Sequence, residues 1–416
     1  MAKWKANHNP DPLIQRLNKC KSIDESGNVT FSGFDFSIIP SRLDAMIELS
    51  ADIPEYQKYS IVKQALWTAG KRTITKDSFL IQVRRLEGEY LKAPEKKYVL
   101  ATALSIDHRF HELHNTVVNN SRITFSKNSP LTFAKARRTF AESLLNVRVE
   151  YPTNYTTVRI CTSAKTCEDA GSKALYNLDL IRGFLNLSIN SMRGHSFSVG
   201  MRREPINQIV LAPMHTLHEQ SGKLATEMYW YQEDYIEPVR VFYEPVVSRF
   251  EKVVDFVQKM RSRLSKCNYR RDIEDAVVRY NDALDSRDWN TGYIKLWSVL
   301  ELLTNTLKNS YETTIRRAAF IYEDYANACQ LLLLLRDFRN ELVHRGSYKT
   351  TIEVFIDDLR QFVQQLLFFL IFNRFKFESL GEVADFFDQP RDSKVILKKL
   401  KLLNCAQKCL NKMIIK

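Results

Sequence analysis

The sequence predicts an α+β protein that is mainly helical, with a central mixed region of strands and helices and an all-helical C-terminal part. Apolar residues recur at helical spacing through most of the chain, which is the pattern of amphipathic helices. Short alternating runs of apolar and polar residues, typical of strands, are concentrated between about 122 and 243. With 416 residues, 44% of them hydrophobic, the chain is long enough for two or three domains with ordinary cores.

The first 120 or so residues follow helical patterns after a short strand-like piece at 29–39. One helix is indicated by the apolar series Leu80, Val83, Leu86 and Leu91. Breaks are expected near Pro54, Pro94 and Ser105.

The central region alternates strands with one long helix. The predicted strands are 146–151, 157–161 and 238–243, and the predicted helix is 168–187. His215 and His218, close to Pro213, are expected in a loop. From residue 246 onward the pattern is helical. We therefore divide the chain into four regions: 1–120, mostly helical; 121–245, α+β; 246–376, a helical bundle; and 377–416, a basic amphipathic helix.

Composition indicates a folded cytoplasmic protein that uses no cofactor. The N-terminus is polar and lacks the apolar stretch of a secretory signal, and the longest apolar runs are too short to span a membrane. Seven irregularly spaced cysteines fit reduced thiols better than a disulfide framework. We find no phosphate-binding glycine loop, dinucleotide fingerprint or serine-hydrolase elbow. NTP hydrolysis and serine-esterase chemistry are therefore not expected.

The charge favours a polyanionic partner such as RNA. The chain carries a net charge of +13, and from Arg391 to Lys416 it has eight Lys or Arg against one Asp. This tail predicts an amphipathic helix with one apolar face, formed by Ile396, Leu400, Leu403, Leu410 and Ile414. Its candidate RNA-binding residues are Lys398, Lys399 and Lys401. The tail could instead dock on the body of the protein with a solvated lysine face, or contact an acidic membrane surface. Docking is the default expectation and RNA contact comes next. We expect no membrane partner.

A helix near residue 340 presents an arginine, an amide and a histidine. Its predicted core stripe is Leu331, Leu335, Phe338 and Leu342, which fall within about 60° of the helix circumference. Arg336, Asn340 and His344 then lie on the far side and Arg339 on the flank. Gly346 is the expected helix stop.

Spacing alone does not identify this motif, because Arg109 and His114 reproduce it. Basic residues in a last helical turn are also ordinary, since they favour the negative end of the helix dipole. What distinguishes the second copy is its context: Asn340 follows Arg339, a core stripe lies beneath, and a helix stop follows.

The stretch from about 281 to 373 resembles a HEPN domain, a small helical bundle whose signature is Arg, a polar residue, three further residues and His. The ApeA-like variety of HEPN domain has a Trp and a Glu on an early helix, which Trp297 and Glu301 match, and Arg316-Arg317 follows before the Arg339 motif. The resemblance implies a metal-independent endoribonuclease that works as a homodimer and leaves 2′,3′-cyclic phosphate and 5′-hydroxyl ends. It also implies a toxin or anti-phage, abortive-infection effector, with 246–376 as the nuclease, residues 1–245 as a regulatory or sensing region, and a phage-derived or nucleotide trigger.

The chemistry of the motif follows from its residue types. A histidine has a pKa near neutrality, so His344 can accept or give a proton at the ribose 2′-hydroxyl or the leaving oxygen. Arg339 carries a fixed, permanently charged fork that can hold the phosphate, and Asn340 can position the phosphate or orient His344. Arg336 and Arg345 are candidate RNA contacts.

Glu301 is a candidate supporting residue that holds Arg339 in place. Equally open is a structural role, as an exposed glutamate on the flank of its helix or as a partner of Arg316.

Two other interpretations remain. The domain could be a non-catalytic HEPN module that binds nucleotide or RNA or assembles a complex. Alternatively His108, His111 and His114, at three-residue spacing, could make the protein a metal-dependent hydrolase, although this stretch is not the His-Glu-x-x-His zinc signature, and we expect no metal site.

Overall fold

The computed structural model describes residues 1–26, 28–107, 115–144, 154–192, 204–235, 239–243, 247–307, 310–345 and 352–414. Within these residues the chain is mainly helical and contains one six-stranded sheet, so the predicted α+β class is confirmed. The helices are α1 (Asp11–Lys19), α2 (Phe34–Met46), α3 (Glu55–Ala69), α4 (Lys76–Lys92), α5 (Leu131–Ser143), α6 (Cys167–Ser191), α7 (Val247–Leu264), α8 (Arg270–Asp285), α9 (Trp289–Leu303), α10 (Tyr311–Ala319), α11 (Tyr325–Arg345), α12 (Ile352–Phe372), α13 (Leu380–Phe387) and α14 (Ser393–Ile414).

The main sheet is antiparallel throughout, with the strand order β10-β9-β5-β8-β7-β6. Two short ribbons, β1 with β4 and β2 with β3, lie outside it. The strands are β1 (Lys3–Trp4), β2 (Lys21–Ile23), β3 (Val29–Phe31), β4 (Ile47–Glu48), β5 (Lys96–Leu104), β6 (Asn115–Val118), β7 (Ser121–Ser126), β8 (Thr156–Ala164), β9 (Met214–His218) and β10 (Leu224–Tyr231). The β6–β7 turn is made by Asn119 and Asn120, both at positive φ (44° and 66°), which asparagine tolerates better than most residues.

The first four helices form a core of their own, which extends from Ala2 to Val83. Glu87 ties the N-terminus to this unit, since its carboxylate accepts hydrogen bonds from the backbone N–H groups of Ala2 (2.6 Å) and Ser50 (2.9 Å). The following strand, β5, pairs with β8 and β9. The predicted boundary at residue 120 falls in the β6–β7 turn, so one sheet contains strands from both sides of it.

Helix α6 joins the sheet to the C-terminal bundle. One sheet face, with Leu100, Val158 and Ile160, packs on α6, and α6 in turn packs on α7 and α8. A single hydrophobic core therefore runs from Leu100 in β5 to Phe387 in α13. The division into four regions stays a prediction.

The bundle contains α7 to α13, and α14 extends it. Helix α9 packs against α8, α11 and α12, which places it at the centre. By contrast, every described side chain of α14 from 393 to 411 is exposed, including Leu397 and Leu403, each 65% exposed. The default expectation that the tail docks on the body of the protein is therefore wrong for these residues.

Several sequence expectations are confirmed and others corrected. The helix predicted from Leu80, Val83, Leu86 and Leu91 is α4, the predicted helix at 168–187 lies within α6, and the helical pattern from residue 246 onward begins with α7. The predicted strand at 157–161 lies within β8. The predicted strand at 238–243 is reduced, over the described residues 239–243, to an isolated bridge between Ile106 and Phe242. The predicted strand at 146–151 lies outside the described residues. No helix in the described part of the chain is both long and apolar enough to cross a lipid bilayer.

Candidate active site on helix α11

Helix α11 is fixed to the bundle by one buried stripe. The buried residues are Ala328, Leu332, Leu335, Phe338 and Leu342. The predicted Leu331 is only partly buried, and Leu332 takes its place in the core. Tyr293 of α9 fixes the register, because its hydroxyl donates to the carbonyl oxygen of Leu335 (2.7 Å) and its ring meets that of Phe338 edge-on at 5.1 Å.

Arg339 lies on the flank of this stripe and is half-buried. Its guanidinium carbon lies 5.3 Å from the ring centroid of Tyr311, and its Nη1 donates to Oδ1 of the neighbouring Asn340 at 3.3 Å. The Nε–H is buried and has no acceptor among the described residues. A buried donor without a partner costs on the order of 1–3 kcal/mol, which an anionic ligand can recover.

Glu301 does not form an ion pair with Arg339 among the described residues; its carboxylate accepts a hydrogen bond from Nε1 of Trp297 (2.9 Å). The Trp297 ring is buried and meets Tyr311 at 6.3 Å, so Glu301 reaches Arg339 only through two aromatic rings. Glu301 therefore makes no direct contact with Arg339 among the described residues, and its role as a supporting residue stays a prediction. The alternative pairing with Arg316 is not observed either, since the guanidinium of Arg316 contacts Asp388 at 2.8 Å.

Arg316 and Arg317 stabilise the bundle. Arg317 donates to both carboxylate oxygens of Asp388, at the end of α13, and to the carbonyl oxygens of Thr304 and Asn305. The hydrogen bonds from Arg317, more than the charge of Arg316, hold the pKa of Asp388 below its usual range. These two arginines link α10 to α13, and their guanidinium groups are bound to Asp388.

Arg336 is also neutralised locally. Its Nη2 donates to Oδ1 of Asp337 (2.7 Å), and its Nη1 lies 3.8 Å from Glu312. An RNA phosphate would have to compete with these carboxylates, which makes Arg336 a weaker RNA candidate than the sequence predicts.

The backbone of α11 continues through His344 and Arg345. His344 follows Asn340 by one helical turn, so the two positions lie on the same face of α11. The side chains of His344 and Arg345, as well as Gly346, lie outside the described residues. The same is true of His108, His111 and His114.

Lys398, Lys399 and Lys401 of α14 are all exposed, as an RNA contact requires. The neighbouring apolar residues of α14 are exposed as well, so the described part of the bundle does not cover this stretch of the helix.

A second cluster of ionisable groups lies in the interior, between α6 and α8. Arg182, 1% exposed, donates to Asp285 and Asp179, each at 2.6 Å, and its guanidinium carbon lies 5.9 Å from the Tyr235 ring centroid. The hydroxyl of Tyr235 also donates to Asp285 (2.6 Å). Burial alone would lower the pKa of Arg182, but Asp285, Tyr235 and Asp179 together raise it well above its usual value. This arginine is a charged, fully paired structural residue.

His215 and His218 lie in β9 and are buried, so the predicted loop is wrong. Nδ1 of His215 hydrogen-bonds the Thr102 hydroxyl (2.6 Å), and burial, with the nearby charges of Arg137 and Arg182, lowers its pKa to about 3. His218 hydrogen-bonds Thr216 and the carbonyl oxygen of Gly222. Being three apart on a strand, they face opposite sides of the sheet. Among the described residues no group of His, Cys, Asp and Glu has the arrangement of a metal site.

The important residue that sequence reasoning missed is Tyr311. It lies 28 residues before Arg339 and belongs to another helix, so no local spacing relates the two. Only the packing of α10 beside α11 brings the ring under the guanidinium. No family model, curated protein or solved structure matches this chain, so the resemblance to HEPN domains stays a prediction.

Proposed function

We propose that this protein is a metal-independent endoribonuclease that cuts RNA by attack of the 2′-hydroxyl, leaving 2′,3′-cyclic phosphate and 5′-hydroxyl ends. The observation that carries the proposal is the state of Arg339. Its guanidinium is held by Tyr311 and Asn340 but meets no carboxylate among the described residues, and its buried Nε–H has no acceptor there. Such a fork is prepared for a phosphate.

In this proposal each motif residue contributes to one cleavage reaction. Arg339 holds the scissile phosphate and stabilises the charge that develops on its oxygens. Asn340 holds Arg339 in position through its side-chain oxygen and offers an amide donor to the substrate. His344, one turn further along the helix, accepts the proton of the ribose 2′-hydroxyl or gives one to the leaving 5′-oxygen. Two copies of α11 face each other in a homodimer and form one composite cleft.

The biological role proposed is that of a cytoplasmic toxin or anti-phage effector. This rests on the resemblance to ApeA-like HEPN proteins. Residues 1–245 would then regulate or sense, and their strands share a hydrophobic core with the nuclease bundle. A shared core provides a physical route by which a trigger could act on the bundle.

The test is cleavage of total RNA by purified protein in excess EDTA. The wild-type protein should cleave, and His344→Ala should not. His114→Ala is the matched control, because Arg109 and His114 repeat the motif spacing, and it should cleave like the wild type. Sequencing of the RNA ends identifies the substrate and the 5′-hydroxyl product. Activity that is abolished by EDTA, restored by zinc and lost in His114→Ala would overturn the proposal in favour of a metal-dependent hydrolase.

A second candidate, an RNA-binding module without catalysis, is favoured by the exposed lysines of α14. In that case the protein binds RNA with steep salt dependence but does not cut it. Replacing Lys398, Lys399 and Lys401 by Gln should then reduce the slope of log affinity against log salt by about one for each phosphate that these lysines neutralise. Complementation distinguishes the candidates further: mixed Arg339→Ala and His344→Ala protomers regain cleavage only if the site is a composite of two chains.

A further inference from the structure

A cleft of about 740 Å³ opens between the β6–β7 hairpin and the helices α6, α7 and α8. We call it the hairpin cleft. Its lining includes Asn119 at the hairpin tip, Tyr176 and Phe184 of α6, Arg261 of α7, and Arg270 and Arg271 of α8. It lies where the sheet meets the bundle, away from the candidate active site. The volume falls within the range of small-molecule sites, about 300–1,000 Å³.

The wall of the hairpin cleft is strongly basic. Three arginines line it, and the carboxylate among the described lining residues, Glu274, is already bound to Nε of Arg270 at 2.6 Å. Arg271 is exposed and makes no hydrogen bond or ion pair with the residues that the structure describes. Burial is the main cause that lowers the pKa of Arg261; the charge of Arg270 lowers it further and Glu274 opposes the shift. Three arginines against one carboxylate leave a net positive charge on the wall, which favours an anion in the cleft.

The floor of the hairpin cleft has the opposite character. Leu180, Phe184 and Leu264 are at most 2% exposed and lie behind the cleft, so the half-buried Tyr176 ring supplies the accessible aromatic surface. Burial, with Asp275 and Glu274, raises the pKa of Tyr176 to about 12, so its hydroxyl is neutral at physiological pH. The cleft therefore combines a neutral aromatic surface, the Tyr176 ring, with a cationic wall.

The hairpin tip is held in place across the cleft. Arg261 donates to the carbonyl oxygen of Val117, and Arg270 donates to Oδ1 of Asn119 at 2.7 Å. These two bonds connect the hairpin to α7 and α8, and they bound the cleft on the side of the sheet. A bounded cleft suits a compact ligand better than a continuous RNA strand, which follows an extended groove.

We infer that the hairpin cleft binds a nucleotide, with the base on the Tyr176 ring and the phosphates against Arg261 and Arg271. A phosphate takes paired donors from an arginine fork, and an aromatic base stacks on a tyrosine ring. The inference does not rest on the proposed ribonuclease activity, because nucleotide binding is measured and RNA cleavage is not. Since the cleft is built from both the sheet and the bundle, an occupant would stabilise their junction.

The experiment is isothermal titration calorimetry on the full chain with ATP, GTP, CTP and UTP, and with adenosine and inorganic phosphate as partial ligands. At least one nucleotide should bind, and both partial ligands should bind at least about tenfold more weakly. Arg271→Ala should weaken nucleotide binding by about tenfold, the loss expected for one charge-assisted hydrogen bond. Arg279→Ala is the matched control: it lies on the same helix but pairs with Asp275 outside the cleft lining, and binding should change less than twofold.

Three results would overturn the inference. The first is no binding of any of the four nucleotides at millimolar concentration. The second is equal binding by the wild type and Arg271→Ala, with circular dichroism showing that both are folded. The third is inorganic phosphate binding as tightly as the nucleotides, or a short RNA displacing them with higher affinity, since a simple anion site or an RNA groove would then describe the cleft better.

Discussion

Three arginines of the described residues lie against a tyrosine ring, and two of them, Arg182 and Arg339, differ in what else they touch. Arg182 lies 5.9 Å from Tyr235 and is saturated by two carboxylates, whereas Arg339 lies 5.3 Å from Tyr311 and meets no carboxylate among the described residues. The first arginine holds α6 to α8. The second retains a buried donor without an acceptor among the described residues, and this is what distinguishes Arg339 from Arg182.

The largest expected effect is on stability, from Arg182→Met. Removing this guanidinium leaves the buried Asp285 and the partly buried Asp179 without their counter-charge, which typically costs about 3–5 kcal/mol. Urea denaturation followed by circular dichroism measures the loss. Arg339→Met is the control and should cost less than about 1 kcal/mol, because it strands no carboxylate. Equal losses in the two variants would remove the distinction between the two arginines.

The next effect is on cleavage, from Arg339→Lys. Lysine keeps the charge but lacks the planar fork, so the rate of RNA cleavage should fall about 10²- to 10³-fold, the range seen when a donor to the reacting oxygens is removed. Single-turnover cleavage in EDTA measures it. Arg336→Lys is the matched control on the same helix, and it should cleave within about threefold of the wild type, since Arg336 is paired with Asp337.

The third effect is a pH dependence of the stability that comes from His215 in the sheet. The pKa of His215 is about 3 in the folded protein and near 6.5 when unfolded, so below pH 6.5 only the unfolded chain takes up this proton. Stability should therefore fall as the pH falls, by about 1.6 kcal/mol between pH 6.5 and pH 5 from this residue. Urea midpoints at the two pH values measure the change. His215→Asn should reduce the pH dependence, and replacing the exposed His8 by Asn should leave it unchanged.

The helices and the sheet also differ in how far the sequence predicts them. Helical periodicity identifies α4, α6, α7 and α11, because a single buried face dictates the spacing of apolar residues. It places the core of α11 correctly except at Leu331, where neighbouring leucines leave the choice to tertiary packing. Periodicity does not locate His215, whose burial depends on hydrogen bonds from a distant strand.

In the candidate site too, helical spacing predicts the position of a residue on its helix but not its contacts with other helices. Spacing alone places Arg339 on the flank of α11, and it lies there. Its neighbour Tyr311, and the hydrogen bond that occupies Glu301, depend on how α9, α10 and α11 pack together. The sequence contains no local pattern for such contacts between helices, so the motif was predictable and its support was not.

The smallest effect tests that support. Tyr311→Leu removes the ring beneath the Arg339 guanidinium but retains an apolar side chain, so cleavage should slow by about three- to thirtyfold, which corresponds to a cation–π contact of about 0.5–2 kcal/mol. Tyr325→Leu is the matched control, because Tyr325 supports Arg391 at 4.8 Å elsewhere in the same bundle. If Tyr311 positions Arg339, its replacement slows cleavage while the urea midpoints of the two variants remain alike. A similar loss of cleavage in both variants would instead reflect a general loosening of the bundle. The contact with Tyr311 would then be structural, as the contact of Arg182 with Tyr235 is.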